Sequence, residues 1–416
     1  MQTSSNAQHF FETDASQEKR ERRAAKSTNK YGNPVALKSK VLAVIADPTS
    51  ASHVFIAESA GSARRVNIDD ANAATAAYRG PTTPVTSLAL GSTSTSCTLF
   101  AGCWDKTVWS WDLATRVVGR RYVGHGDFVK AVVCGQLGGQ AVLISGGADK
   151  KIIVWDVATG RRLHTLQDKT GGPAMMAVQD LAIDPVATTA DELWLVSASS
   201  DPHIRRIWRI RPDGWEQVED AAETAETVAN TAAAAAAGPR RTLLAHETTV
   251  YKLLFEDFAD GDGQDIDLWT CSADGTTKCL SRIHGFADGS DTLAHGDHVR
   301  AVAVTDAWVV TAGRDEDVQF WDRATGRRYA TLAGHFDEIT GITVLADRRR
   351  LCSASLDGTL RTWPLDRAGL DDLVRRQEED LKDDASPAAE EAAAEKTEDG
   401  LTVEEEAELA ALMEDD

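Results

Sequence analysis

The chain has 416 residues, 42% hydrophobic and 26% charged, and carries a formal net charge of -21. That length suits two average domains or one large all-β domain. No apolar run reaches the ~18 residues that a membrane-spanning helix needs, so no membrane role is expected. The six cysteines (Cys97, Cys103, Cys134, Cys271, Cys279, Cys352) show no C-x-x-C spacing. They read as reduced core or near-core residues of an intracellular protein, and no metal site is expected.

Charge is distributed unevenly. Residues 367–416 hold 19 acidic and 5 basic side chains, a net of -14, whereas residues 1–40 net +4. The first forty residues are polar, so no secretory leader is expected. Residues 1–33 read as a flexible basic arm whose cluster Lys19, Arg20, Arg22, Arg23, Lys26 and Lys30 suits phosphate or an acidic partner. A merely solvated leader is the plainer alternative.

From Val41 a short apolar pattern recurs seven times: VLAVIA, VTSLAL (from Val85), VKAVVC (Val129), VQDLAI (Val178), VYKLLF (Val250), VRAVAV (Val299) and ITGITV (Ile339). Each copy reads as a buried strand followed by a second apolar run. A turn holding Asp105, Asp149, Asp201, Asp274, Asp315 or Asp357 comes next, with Gly61 in that place in the first copy. Six residues further on stands Trp111, Trp155, Trp321 or Trp363. Most turns are 41–44 residues apart. Repeats of this length are supersecondary units that bury their faces only by stacking on neighbours.

The period, the pairs Gly124-His125 and Gly334-His335, and the Trp-Asp endings at Trp111, Trp155 and Trp321 together resemble the WD40-repeat family. The resemblance covers residues 34–366 and implies an all-β fold, a seven-bladed WD40 β-propeller. Outer strands are expected at Arg120, Arg161, Arg240 and Arg327, each opening on an Arg-Arg pair. The last blade has little chain left for an outer strand, and Pro34–Leu37 is expected to supply it and close the ring.

Two places break the rhythm. Residues 212–239 form an Ala- and Glu-rich insertion read as a loose helix or irregular segment. Asp201 and Trp208 lie seven residues apart, which predicts a bulge. After the propeller comes the acidic tail, 367–416. DDLVRRQEEDLKDD is helix-compatible, and a short terminal helix places Leu409, Leu412 and Met413 on one face.

The resemblance also assigns a buried network to each complete repeat. Three sets match: His125, Ser145, Asp149, Trp155; His295, Thr311, Asp315, Trp321; and His335, Ser353, Asp357, Trp363. Ser-His-Asp is also the pattern of nucleophilic catalysis, but three copies of one active site in one chain make a structural role the better reading. No phosphate-loop, dinucleotide or metalloprotease motif is present, so no catalytic residue, cofactor or small-molecule substrate is expected.

Function is then expected on the surface. In the family two positions per blade face the narrower, top opening. Here they are Leu42, Thr86, Lys130, Gln179, Tyr251, Arg300 and Thr340, and Ala60, Trp104, Ala148, Ser200, Ala273, Arg314 and Leu356. Exposed Trp, Tyr and Arg are the side chains that most often anchor interfaces. Trp104, Lys130, Tyr251, Arg300 and Arg314 are therefore the expected partner-binding residues, facing an acidic or amphipathic peptide segment. The whole reads as a non-catalytic scaffold subunit of an intracellular complex, cytoplasmic or nuclear. Two alternatives stay open: an RNA-linked accessory subunit, motivated by the arginine pairs and the arm, and a substrate receptor of a ubiquitin ligase.

Overall fold

The computed structural model describes residues 20, 23, 24, 26–70, 73, 75–92, 97–167, 175–217, 242–256, 266–283, 286 and 289–380. The chain divides into two compact units, Met1–Asp366 and Arg367–Asp416. The first is a seven-bladed β-propeller of antiparallel sheets.

Blade one is Val41–Ala46, His53–Glu58, Ala63–Asn67 and Ala76–Tyr78, and blade two is Val85–Ser92, Cys97–Cys103, Thr107–Asp112 and Val118–Val123. Blade three is Val129–Leu137, Gln140–Gly147, Ile152–Asp156 and Arg162–Leu166. Blade four starts with Val178–Ile183, Leu193–Ser199 and His203–Arg211. Blade five is Val250–Phe255, Leu268–Ser272, Thr276–Leu280 and Gly289–Ala294, and blade six is Val299–Val304, Trp308–Gly313, Asp317–Asp322 and Arg328–Ala333. Ile339–Val344, Arg350–Ser355 and Thr359–Pro364 open blade seven.

The outer strand of blade seven comes from the other end of the chain. Val35 pairs with Leu360 and Ala36 with Thr359. Gly32 extends the contact, its carbonyl accepting the Thr362 N–H at 2.7 Å. This seals the ring, because an unpaired third strand in the last blade would leave a row of open backbone groups. Successive innermost strands pack around the full circle, including the first against the last.

Side chains staple neighbouring blades. The Tyr78 hydroxyl donates to Leu113 O (3.1 Å) and the Trp308 indole to Leu365 O (2.8 Å). Arg282 reaches Asp184 at 2.5 Å, Arg323 reaches Glu256 at 2.8 Å, and Arg350 reaches Asp69 at 2.5 Å. Each pair joins two blades at their loops.

Blade four holds the expected bulge: Leu195 pairs with Trp208 and Val196 with Arg206, so Ile207 is skipped. Its outer edge departs from expectation. Gly214–Gln217, read from sequence as the start of a loose or helical insertion, is a strand. It folds back on Trp208–Arg211, and Thr242–Leu244 covers His203–Arg205. The reason is burial: Trp215 packs against the apolar cluster of blades three and four, beside Trp208. The rest of the insertion, Arg240-Arg241 and the terminal helix at Leu409–Met413 lie outside the described residues.

The basic arm is shorter than its composition suggests. Lys26 Nζ lies 3.3 Å from Glu316 and 3.2 Å from Asp317, and Arg23 pairs with Asp337. Arg361, only 1% exposed, donates to the carbonyls of Tyr31 and Asn29. Burial pulls its guanidinium down to about 10. The arm's last residues are thus part of the closure. Lys19 and Arg22 lie outside the described residues.

In the second unit residues 367–380 form a helix. Asp372 pairs with Arg375 (2.5 Å) and Arg376 (2.6 Å) one turn on, the spacing that brings side chains together on a helix.

Ring closure has a direct test in urea unfolding. Deleting residues 1–37 removes the closing strand and the carbonyls that Arg361 binds, and should cost about 3–5 kcal/mol, as for a buried charge stripped of its partners. A chain starting at Arg20 should keep the wild-type midpoint.

Candidate partner-binding face

One backbone hydrogen bond recurs in all seven blades and sets their register. The residue before the turn aspartate donates its N–H to the carbonyl preceding the innermost strand. The pairs are Ser59 to Lys40, Trp104 to Pro84, Ala148 to Phe128, Ser200 to Ala177, Ala273 to Thr249, Arg314 to His298 and Leu356 to Glu338. This corrects the first copy. Ser59, not Ala60, is blade one's member of the second top-face set, and Ala60 takes the aspartate's place. Gly61 follows it at φ 83°, the left-handed position filled elsewhere by Lys106, Lys150, Gly275, Glu316 and Gly358. A Cβ on Gly61 would lie 2.9 Å from Pro81 O, so only glycine fits.

Buried polar chains hold these turns. In blade three the Trp155 indole donates to Ser145 Oγ (2.8 Å), which lies 2.8 Å from His125 Nε2, and His125 Nδ1 lies 3.0 Å from Asp149. Blade seven repeats it: Trp363 to Ser353 (2.9 Å), Ser353 to His335 Nε2 (2.7 Å), His335 Nδ1 to Asp357 (2.8 Å). In blade six the ring is turned over, with Nδ1 facing Thr311 (2.9 Å) and Nε2 facing Asp315 (3.0 Å), while Trp321 donates to Thr311 (2.8 Å). A fourth chain, His246 between Thr270 and Asp274 (both 2.9 Å), stands in blade five, where Leu280 replaces the tryptophan. It lacks only the indole, which is why a search for complete sets passes over it.

Each proton has one place in such a chain. The Asp357 carboxylate can only accept, so a neutral His335 donates at Nδ1 and accepts from Ser353 at Nε2. Burial pushes the His335 and His246 pKa values below 6.5, which keeps the rings neutral. Burial alone would raise Asp357, but hydrogen bonds from His335 and Thr359 outweigh it and hold the carboxyl below its usual range.

The framed turns surround a cavity of about 690 Å³ at the top opening. It is lined by the whole first set, Leu42, Thr86, Lys130, Gln179, Tyr251, Arg300 and Thr340, together with Trp104 and Leu356. Thr86 and Thr340 spend their hydroxyls on the neighbouring blades' Val129 O (2.6 Å) and Val41 O (3.0 Å). Arg300 lies over the Tyr251 ring, 4.2 Å from its centroid, and donates Nε to Glu338 at 2.5 Å. Lys130 donates to Gln179 Oε1 at 3.2 Å. Burial lowers the Lys130 pKa, and Arg300 acts in the same direction.

Four of the five expected partner-binding residues (Trp104, Lys130, Tyr251 and Arg300) therefore share one opening. Arg314 is exposed but does not line the cavity. Two residues were missed. Phe128 stacks on Trp104 with ring centroids 5.0 Å apart at 18°, and both rings are open to solvent, Trp104 at 45% and Phe128 at 37%. Glu338 anchors Arg300. Both occupy the position just before the innermost strand, the one signal that marks them.

The family model described as WD domain, G-beta repeat matches residues 73–112, 117–156 and 326–364. The chain is a WD40-repeat β-propeller. The solved WD40 propeller domain of Doa1 superposes with a TM-score of 0.60 at 18% identity, over 81% of this chain and 97% of that one, a likeness of fold alone. An uncharacterised WD repeat-containing protein of Schizosaccharomyces pombe is 29% identical over 378 residues, 88% of this chain and 90% of that one. Shorter stretches resemble the ribosome biogenesis protein WDR12 homolog of Ixodes scapularis (35% identical; 18% of this chain, 19% of that one). The small ribosomal subunit protein RACK1y of Oryza sativa subsp. japonica matches at 28% (27% of this chain, 29% of that one). WD40 propellers bind other proteins and are typically non-catalytic.

The neutral histidines make this WD40 propeller acid-sensitive. Below pH about 6.5 the unfolded rings take up protons that the folded ones refuse, so stability falls with pH. The aspartates add to the loss as pH approaches their lowered folded values. Urea midpoints should drop between pH 7 and 5, and drop less in His246→Gln/His335→Gln. Ser353→Ala, which leaves both His335 and Trp363 short of a partner, should cost about 1–3 kcal/mol at pH 7.

Proposed function

We propose that the protein is a non-catalytic scaffold subunit of an intracellular multiprotein complex, holding a partner protein at the top opening of its propeller. One observation carries this reading: Trp104, Phe128, Tyr251, Lys130 and Arg300 converge on one concave opening, whereas most other top-face positions hold small or internally bonded side chains. Aromatic and arginine side chains gathered in a concavity are the usual anchors of an interface. The Ser-His-Asp sets do not suit catalysis, because their histidines are buried and each is bonded to the serine or threonine of its own blade. All six cysteines are free thiols, which suits a reducing compartment, cytoplasm or nucleus.

Quantitative co-purification from cells tests the reading. An Arg300→Glu/Arg314→Glu variant should lose at least one group of partners about tenfold, while Arg327→Glu/Arg328→Glu on an outer strand keeps them. Equal partner sets in all three would reject the top opening as the site.

A second reading, contact with RNA, is favoured by Arg120, Arg161 and Arg162. They are exposed on adjoining blades two and three and have no carboxylate partner among the described residues. Two relatives also carry ribosomal names. The arm lends it less support than its composition suggests, because Arg23 and Lys26 are engaged by carboxylates. Anisotropy of a labelled single-stranded RNA should then show binding that weakens steeply with salt and disappears in Arg120→Glu/Arg161→Glu. Equal binding by the variant would dismiss it.

A further inference from the structure

The charged side chains lining the top cavity are Lys130, Lys252, Arg300 and Asp180. In a chain of net charge -21 this opening is locally cationic. Its one carboxylate is already used. Lys252 Nζ lies 2.9 Å from Asp180 Oδ2, which also accepts the Leu253 N–H at 2.9 Å. Arg300 commits only Nε, to Glu338, so both of its Nη groups are without an acceptor among the described residues.

Lys130 is the sharper case. Its one bond is to a neutral amide oxygen, Gln179 Oε1. That amide is itself held: Gln179 Nε2 donates to Ser200 Oγ at 2.5 Å, and Ser200 donates to Ala177 O at 3.3 Å. The relay fixes the ammonium in position without neutralising it. A half-buried cation oriented in this way keeps its desolvation penalty until an anion arrives. Lys130 stands on blade three and Arg300 on blade six, so the two face one cavity from different sides of the ring.

An apolar surface adjoins the cations. Trp104 and Phe128 stack at the rim with both rings exposed, and Leu42 and Leu356 line the wall. A small free anion would leave that stack in water. A peptide covers both surfaces at once, because alternate residues on an extended strand point to the same side, about 7 Å apart, and can present an acidic and an apolar side chain together.

We propose that the top opening is a receptor for an acidic peptide, one carboxylate side chain entering between Lys130 and Arg300 while an apolar residue two positions along covers Trp104 and Phe128. This deepens the scaffold reading and rests on it. Gln179 and Ser200 are positioning residues that aim Lys130.

The test is panning of a random twelve-residue displayed peptide library on the full chain, followed by titration of a fluorescein-labelled synthetic peptide from the enriched pool. The expected pool carries Asp or Glu two positions from an aromatic or aliphatic residue. Lys130→Met should weaken the labelled peptide about tenfold, as for loss of a charge-assisted hydrogen bond. Replacing the peptide's acid by its amide should weaken binding to the wild type at least as much, and should cost less on Lys130→Met, where only Arg300 still faces the acid. Gln179→Leu, which keeps the charge but removes its holder, should give an intermediate loss.

An enriched pool without acidic residues, or an amide penalty that is the same on wild type and Lys130→Met, overturns this proposal while leaving the top opening as a partner site. A pool whose binding survives Tyr251→Ala/Arg300→Glu, or no enrichment at all, rejects the opening as well. Binding of a labelled single-stranded RNA that is lost in Lys130→Met would overturn the peptide assignment in favour of nucleic acid.

Discussion

The structure depends on closure of the ring. A four-stranded blade has two apolar faces and cannot bury both alone, so each of the seven needs two neighbours. The condition is met at one join, where Val35 and Ala36 supply the last strand of a blade whose other three strands lie more than 300 residues later. Arg361 ties that join from within through backbone carbonyls of Asn29 and Tyr31. Because the two ends of the propeller meet in one sheet, opening one blade exposes faces on both sides, and the seven repeats behave as one unit.

Closure alone leaves the turns free to vary, and a second layer of interactions removes that freedom. Trp, Ser or Thr, His and Asp form directed hydrogen-bond chains in blades three, six and seven, with a version lacking the indole in blade five. Buried chains of this kind are stabilising only when each donor finds its acceptor, so they select one turn geometry. Arg–carboxylate pairs fasten neighbouring blades at other loops. The consequence for function is rigidity at the top opening. Side chains carried there by the innermost strands and the turns are held ready, and a partner need not order them on binding.

Much of the fold was legible because the repeat writes its strands in the same order with the same punctuation. The skipped residue in blade four followed from one extra position between Asp201 and Trp208. The closing strand followed from a shortage of chain after Trp363. The misses have a common cause. Gly214–Gln217 reads as irregular because it is one short stretch in a polar, Ala-rich segment, and its strand character comes from Trp215 packing beside Trp208 on the apolar cluster of blades three and four. Arg23 and Lys26 read as free charges because Glu316, Asp317 and Asp337 lie about 300 residues away. Gly61 was placed one residue early because position in a turn is set by backbone bonds, which the residue names do not display.

The sequence by itself determined the number of blades, because repetition encodes it, and its resemblance to the WD40 family assigned most of the side chains that hold the turns and most of the positions that face the opening. Only the tertiary structure decided which of those positions act together. Thr86 and Thr340 share their position with Lys130 and Arg300, yet their hydroxyls are spent on neighbouring blades. Lys130 is left with a neutral partner, Asp180 is neutralised by Lys252, and Phe128 joins Trp104 across two blades. Such pairings join residues from about 20 to about 300 positions apart, and spacing cannot assign them until the ring has closed.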